Sequence, residues 1–448
     1  MNYSEFKEAV FAQAQAQGLT AYELYYSAGE SVELEVFQTE VKGFQSANSH
    51  GACFRCLING QMGYASTSLF SAEEAERLVE HALDNARTIE SADEQFLHRG
   101  DAQYQTVEPK PVREPSTEEM IDFALSLQKK LYAGDSRVVD GTQAQVAYER
   151  SETAIDNSYG LSLHEQSKLA VAYGVALLDD GGEKYDAYDM ELGSLDGIDQ
   201  DKLVKKAIDK AAAQIGADVG PTGSFPVVLA PSAVRSLLSV FSPVFSAENA
   251  QKGLSLLAGK EGQTVASSCV TLMDDPFYAD SYAKASFDAE GCATSTKAVV
   301  ERGVLTTLLH NLKTAHVAGV KTTANASKGS YAAPVSISPY NFYFAPGDQT
   351  QDELLAQMDN GILVETMTGL HAGASAVSGD FSLQSTGYLV ENGKKTRAIR
   401  NFTVADNFFE LLKKIEAAGS DMELGSPSGN TCFGSPSLLI RETSLAGK

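Results

Sequence analysis

The chain of 448 residues is three times as long as a typical domain of ~150 residues, which predicts two or three packed units. With 43% hydrophobic and 21% charged residues, its composition is that of a folded globular protein and excludes collagen-like or disordered chains. The formal net charge is −24, of which residues 1–220 carry −20. Because so acidic a surface repels phosphate backbones and anionic lipid, we expect no direct nucleic-acid partner and no membrane partner.

The chain start and the cysteines bear on the cellular compartment. Glu5, Lys7 and Glu8 lie where a secretory signal would need an apolar core. The apolar stretch at 169–178 is far shorter than the ~20 residues of a membrane helix. Five scattered cysteines, an odd number, do not form a disulfide framework in a chain this large. We therefore predict a cytoplasmic protein.

The first unit, residues 1–90, is predicted to be an antiparallel sheet flanked by helices. The strand candidates are rich in aromatic and β-branched residues, and an Asn-Gly pair marks a hairpin turn: strands at 20–28 and 31–38, and a turn at Asn59-Gly60. One helix is expected over 4–17. Another begins after Ser71, where Ser71 and Glu74 have the spacing of a capping box.

The middle of the chain reads as a linker followed by a second unit. Residues 91–115 are polar and contain three prolines, which predicts a linker lying on a surface. The second unit, residues 116–220, has two amphipathic helices and several extended segments: a helix capped by Ser116 and Glu119, extended segments at 137–149, 169–178 and 185–192, and a helix ending at Gly216.

Residues 221–448 are predicted to form one large β-rich domain with a few helices. The markers in chain order are the strand FPVVLA, a helix from Pro231 to Phe241, a helix capped by Thr350 and Glu353, a hairpin turning at Asn392-Gly393, and a helix lined by Phe408, Leu411, Leu412 and Ile415 that ends at Gly419. The fold class is therefore α+β: an N-terminal helix-flanked sheet domain, a middle α/β segment and the β-rich C-terminal domain.

No histidine pair has a spacing that chelates a metal. His164-Glu165 begins like the helical zinc motif of two histidines one turn apart, but Lys168 follows where a second histidine would be needed. His310 and His316 are six positions apart, which separates them on a helix and on a strand alike. The residues alone therefore indicate no metal site.

Other chemical motifs are equally weak. Cys53 and Cys56 lie in a predicted strand, where residues three apart face opposite sides of the sheet. Two Ser-x-x-Lys patterns occur without supporting motifs, at Ser126/Lys129 and at Ser281/Lys284. The residues alone indicate a large α+β protein and assign no catalytic residue.

Four segments carry a family resemblance, in order and over nearly the whole chain: IDNSYGL at 155–161, LHNLKTAHVAGVKTTANA at 309–326, TGLHAGASAVSGDFSLQSTGYLVENGK at 368–394, and GSPSLLI at 434–440. They resemble the TldD/PmbA family, whose members are also called modulators of DNA gyrase. The resemblance implies a cytoplasmic, mixed α/β and dimeric protein.

The family has two branches, and the resemblance distinguishes them. In the TldD-like branch, a helix with the pattern His-Glu-x-x-x-His and a downstream cysteine hold zinc, and the proteins of this branch hydrolyse peptides. The corresponding helix here reads SAVRSLLSVFSPVFSAENA and has no histidine, and Cys432 lies closer to the GSP turn than the family's cysteine does. The chain therefore resembles the PmbA branch, also called TldE, and we expect it to bind no zinc itself.

The resemblance implies a partner subunit of a two-component peptidase that acts on small or unfolded peptides, with zinc supplied by a TldD-like partner. Candidates for a peptide groove are Asn157, Ser158, Gly379, Asp380, Phe381 and Ser382. They lie in the segments IDNSYGL at 155–161 and SGDFS at 378–382, whose glycines are equally explained by turns. Two alternatives remain open. One is a non-catalytic homodimer that binds peptides or a regulatory partner, and the other is a peptidase with a non-metal nucleophile.

Overall fold

The computed structural model describes residues 1–89 and 94–448. Helices within these residues are α1 (Tyr3–Ala16), α2 (Ala72–Thr88), α3 (Thr117–Gly134), α4 (Gln200–Ala212), α5 (Pro231–Phe241), α6 (Ala247–Gln251), α7 (Leu312–Ala318), α8 (Gln351–Met358), α9 (Leu370–Gly373) and α10 (Phe408–Lys414). None of these helices is long and apolar enough to cross a bilayer.

The described residues form an N-terminal sheet domain and a β-rich C-terminal domain with a few helices, which confirms the predicted α+β class. The strands of these sheets are numbered in chain order. They are β1 (Tyr22–Phe37), β2 (Glu40–Ile58), β3 (Gln61–Thr67), β4 (Gln143–Asn157), β5 (Ser162–Asp180), β6 (Glu183–Gly193), β7 (Asp218–Val219), β8 (Gly223–Leu229), β9 (Leu272–Asp274), β10 (Lys297–Glu301), β11 (Val304–Leu305), β12 (Ala326–Ser327), β13 (Ser336–Ile337), β14 (Asn341–Phe344), β15 (Gly361–Thr368), β16 (Asp380–Glu391), β17 (Lys394–Asn407), β18 (Ile415–Ala418), β19 (Glu423–Leu424), β20 (Cys432–Ser435) and β21 (Leu438–Ala446).

The first six strands form one antiparallel sheet in the order β3-β2-β1-β4-β5-β6. The units predicted at 1–90 and 116–220 therefore share a sheet. Two strands predicted at 20–28 and 31–38 are wrong, because β1 runs unbroken through Gly29 and Glu30, which pair with β2 on one side and β4 on the other. The Asn59-Gly60 turn is confirmed.

Helices cover one face of this sheet. Side chains alternate along a strand, so the even-numbered residues of β1 all point to this face. Tyr22 and Leu24 pack under α1 and α2, and Leu34 and Val36 pack under α3. The capping box of α3 is confirmed.

The box predicted at the start of α2 forms only half. Ser71 accepts from the Glu74 N–H at 3.1 Å, but the Glu74 carboxylate accepts from Thr67 Oγ1 at 2.9 Å instead of returning to the cap. The helix predicted to end at Gly216 is α4, which ends at Ala212 and is followed by turns up to Gly216.

The C-terminal domain contains a seven-stranded sheet, β18-β21-β8-β15-β16-β17-β7, and a second sheet, β11-β10-β9-β14-β20-β19. The predicted Asn392-Gly393 hairpin joins β16 and β17, with both turn residues at positive φ. The helix predicted up to Gly419 is wrong beyond Lys414: Ile415 begins β18 and pairs with Ile440 of β21.

Residues 94–115 contain no helix or strand and lie along the C-terminal domain. Tyr104 Oη donates to the carbonyl of Gly291 at 2.8 Å, and Lys110 Nζ donates to the carbonyl of Asp280 at 2.6 Å. The remaining residues of the predicted linker, 91–93, lie outside the described residues. The linker segment therefore joins the shared sheet to the C-terminal domain.

Candidate functional site

A cavity of about 460 Å³ lies between the linker segment and the segment around α7. One wall consists of residues 96–99. The other wall consists of Leu312, Ala315, His316, Val320, Lys321 and Thr322. The volume is within the roughly 300–1,000 Å³ that pockets for small ligands occupy.

The first wall is supported by the IDNSYGL segment. Asn157 is buried, and its Nδ2 donates to the carbonyl of His98 at 2.7 Å. Its Oδ1 accepts from the N–H groups of Tyr159 and Leu161 at 2.9 and 3.2 Å. The Arg99 guanidinium lies 4.3 Å from the centre of the Tyr159 ring. Asn157 therefore positions the wall of the cavity from behind.

Ser158, next to Asn157, bonds the backbone on both sides of Ala21. Its Oγ donates to the carbonyl of Thr20 at 3.0 Å and accepts from the N–H of Tyr22 at 3.1 Å. These bonds attach the turn after β4 to the start of β1.

The second wall is built by the LHNLKTAHVAGVKTTANA segment. Asn311 caps α7, since its Oδ1 accepts from the Thr314 N–H at 2.9 Å, and Gly319 ends the helix at a φ of 67°. Thr322 Oγ1 then donates to the carbonyl of His310 at 3.1 Å, which turns the chain back beside α7. Two of the segments that carry the family resemblance therefore meet at this cavity.

Both histidines of the cavity are paired with carboxylates at its rim. His98 Nε2 lies 3.0 Å from Asp101 Oδ2, and His316 Nε2 lies 3.1 Å from Glu94 Oε2. The ring of Phe96 packs 4.6 Å from the His316 ring, between centroids. These contacts hold both imidazoles in place.

The two cations of the cavity lack such partners. Neither Arg99 nor Lys321 forms an ion pair within the described residues, and both are exposed. No carboxylate is among the residues that line the cavity. The lining therefore carries two cations without an ion pair, Arg99 and Lys321, while the carboxylates of Asp101 and Glu94 lie at the rim against the histidines.

A group of buried charges adjoins the α7 wall. The Glu290 carboxylate accepts from the Leu312 N–H at 2.8 Å and lies near Arg55. Arg55 is 3% exposed, and its Nε donates at 3.0 Å to Glu23, which is fully buried. The second oxygen of Glu23 has no hydrogen-bond partner. Arg55 is therefore a buried cation that is bonded to one carboxylate, Glu23, and close to a second, Glu290.

Asp288 lies beside this group. Its carboxylate accepts from the backbone N–H groups of Glu290, Cys292 and Ala326 at 2.9 to 3.1 Å. Burial, followed by the negative charge of Glu290, nevertheless raises the pKa of Asp288.

The predicted groove residues at 379–382 lie elsewhere, at the start of β16, an inner strand of the seven-stranded sheet. Gly379 has a φ of +85°, and a Cβ there would meet the Phe409 ring. The Asp380 carboxylate accepts from Asn407 Nδ2 at 2.9 Å, which lowers its pKa. Both residues are therefore explained by local structure.

Phe381 and Ser382 also lie outside the cavity. Phe381 is buried in the C-terminal core, with its ring centroid 6.0 Å from that of Phe241. Ser382 is exposed on the opposite side of the strand. Contact of peptide with any of the six predicted groove residues stays a prediction.

Helix α5, where the resemblance implies zinc ligands in the other branch, does not fit the metal. The buried side chains of α5 are apolar, and the other positions carry serine, valine and Arg235, which pairs with Glu423 at 2.9 Å. Burial raises the pKa of the Cys432 thiol to about 11, whereas zinc binds the thiolate. Among residues 1–89 and 94–448, no three His, Cys, Asp or Glu side chains are grouped to hold a metal.

Sequence reasoning did not single out Arg99 or Lys321. Arg99 lies in the predicted linker, and Lys321 lies in the segment at 309–326, in which no single residue has a motif of its own. The available signal was the sequence FLHR at 96–99, in which two apolar and two basic residues interrupt a polar linker.

Comparison with known proteins assigns the family. Three family models match in chain order: PmbA/TldA metallopeptidase domain 1 at residues 22–86, the central domain at 110–215, and the C-terminal domain at 222–447. The fold is thus an α+β protein whose three matched segments follow one another in the order of the family's domains. The chain belongs to the PmbA/TldD metallopeptidase family.

Individual relatives agree with this assignment over nearly full length. A Thermotoga maritima structure, named as a modulator of a DNA gyrase, is 30% identical with a TM-score of 0.90, covering 99% of this chain and 100% of that one. TldE from Thermococcus kodakarensis, at 20% identity, shares the fold with a TM-score of 0.87, covering 98% and 99%. A metalloprotease from Methanothermobacter thermautotrophicus is 27% identical over 424 residues, 90% of each chain.

Proposed function

We propose that this chain is the PmbA/TldE-like subunit of a cytoplasmic two-component metallopeptidase that cleaves small or unfolded peptides. In this proposal the zinc and the catalytic groups belong to a TldD-like partner, and this chain binds no metal. Its own role is to enclose the reaction chamber and to hold peptide.

One observation carries the proposal. Family models of a metallopeptidase family match most of the chain, yet helix α5 offers serine, valine and arginine where the resemblance implies histidines in the zinc-binding branch. A metal-dependent reaction would therefore need ligands from another chain.

A second candidate is a homodimer that binds peptides without cleaving them. The cavity favours it, because binding by this chain alone needs only the unpaired cations Arg99 and Lys321 and the apolar side chains beside them. A direct action on DNA is not part of either proposal, since a chain of net charge −24 repels the phosphate backbone.

Reconstitution distinguishes the candidates. An unstructured peptide is incubated with this chain, with the TldD-like protein of the same organism, and with both together, before and after removal of zinc. We expect zinc-dependent cleavage that is much faster with both proteins than with either one. Cleavage by this chain alone, or a partner whose rate is unchanged by this chain, would overturn the proposal.

A further inference from the structure

We propose that the cavity between residues 96–99 and α7 binds the C-terminal end of a peptide: its terminal carboxylate and its last, apolar side chain. The inference rests on the proposed function for the choice of a peptide as ligand. It adds which end of the peptide is held and by which residues.

Apolar side chains form one part of the lining. Phe96, Leu97, Leu312 and Ala315 face the cavity, and so does Val320, which is 52% exposed. A large apolar side chain left this open gains from being covered. The cavity has room for one side chain and the end of a backbone, but it is far too small for a folded partner.

Positive charge forms the other part. Lys321 has no carboxylate partner among the described residues, and the Arg99 guanidinium is stacked on Tyr159 with its N–H groups left without an ion pair. The carboxylates of Asp101 and Glu94 at the rim already face His98 and His316, which leaves Arg99 and Lys321 as the cations without an ion pair. An anion bound here would therefore be held by Arg99 and Lys321.

A ligand with one negative charge next to one apolar group fits this combination. A peptide with an apolar last residue presents this chemistry at its C-terminus and nowhere else along its main chain. Charge-assisted bonds from an ammonium and a guanidinium to a carboxylate are among the strong hydrogen bonds of proteins. A free fatty acid has related chemistry, and the test below separates the two.

The test measures binding to the purified full-length chain by fluorescence anisotropy. The probe is an N-terminally labelled Ala-Ala-Gly-Phe with a free carboxyl end, compared with the same peptide ending in an amide. The variant is Lys321→Gln, whose side chain is exposed. Lys394→Gln, in the exposed β16–β17 hairpin, is the matched control.

We expect saturable binding of the acid, at least about tenfold weaker binding of the amide, a similar loss for Lys321→Gln, and no change for Lys394→Gln. Equal affinity for acid and amide, or full affinity in Lys321→Gln, would overturn the inference. Binding of decanoate without binding of the peptide would also overturn it.

Failure of this inference is distinct from failure of the proposed function. Zinc-dependent cleavage by the two subunits together, without binding of the acid probe, would refute the cavity alone. If this chain binds the probe but does not change the rate at which the partner cleaves peptide, the two-component function is refuted and the cavity inference is retained.

Discussion

Arg55 shows at the scale of single residues how the fold keeps charge in its interior. It donates to the carboxylate of Glu23 and interacts with the negative charge of Glu290, and all three residues are buried. Removing one member of a buried ion pair leaves the others without compensation, which costs more than an exposed pair gains.

Arg55→Met should lower the free energy of unfolding by about 3–5 kcal/mol, because the buried Glu23 would lose the guanidinium that donates to it and Glu290 would lose a neighbouring positive charge. Urea denaturation measures this change. The control is Lys205→Met, which breaks an exposed pair with Asp209 and should cost less than about 0.5 kcal/mol. Equal effects of the two substitutions would contradict the structural role of Arg55.

Asp288 should make stability depend on pH. Its pKa is raised in the folded chain, so the folded state binds a proton more tightly than the unfolded state does. The stability from this proton is present below the ordinary aspartate pKa of about 3.9 and is lost as the pH rises through the raised pKa.

The stability of the natural chain relative to Asp288→Asn should therefore fall as the pH rises from 4.5 to 7.5, by at most about 1.4 kcal/mol per pH unit. Chemical denaturation at several pH values measures both proteins. A difference that stays constant over this range would show that Asp288 titrates normally.

At the scale of elements, local chemistry predicted the turns and caps well. Both Asn-Gly hairpins and the capping boxes of α3 and α8 formed, because each depends on residues only a few positions apart. The predictions failed where a distant strand competes. Ile415 continues the apolar pattern of α10, but pairing with Ile440 makes it a strand residue.

Gly387 in β16 tests this account of the seven-stranded sheet. A Cβ at this position would overlap the Leu363 carbonyl of β15, so Gly387→Ala should destabilise the chain by about 1–3 kcal/mol. The matched control is Gly29→Ala in β1, where the nearest atom to a Cβ would be Ser49 Oγ at 3.5 Å. Thermal unfolding should show a lower midpoint for Gly387→Ala only.

At the scale of the whole molecule, the sequence indicated the family and the fold class but not the cavity. Asn157 could be named from its motif, yet its bond to His98 and the approach of Lys321 depend on packing between segments far apart in the chain. The SGDFS candidates were named from the same kind of motif, and the structure explains Gly379, Asp380 and Phe381 by packing within the C-terminal domain.

The central claim is that this chain works with a second, zinc-bearing subunit. The most direct measurement is native mass spectrometry of the tagged chain purified from cells of its own organism, with zinc counted in the same sample. We predict one TldD-like protein for each copy of this chain and about one zinc ion per pair. Recovery of the chain alone, or only as a zinc-free homodimer, would contradict the claim.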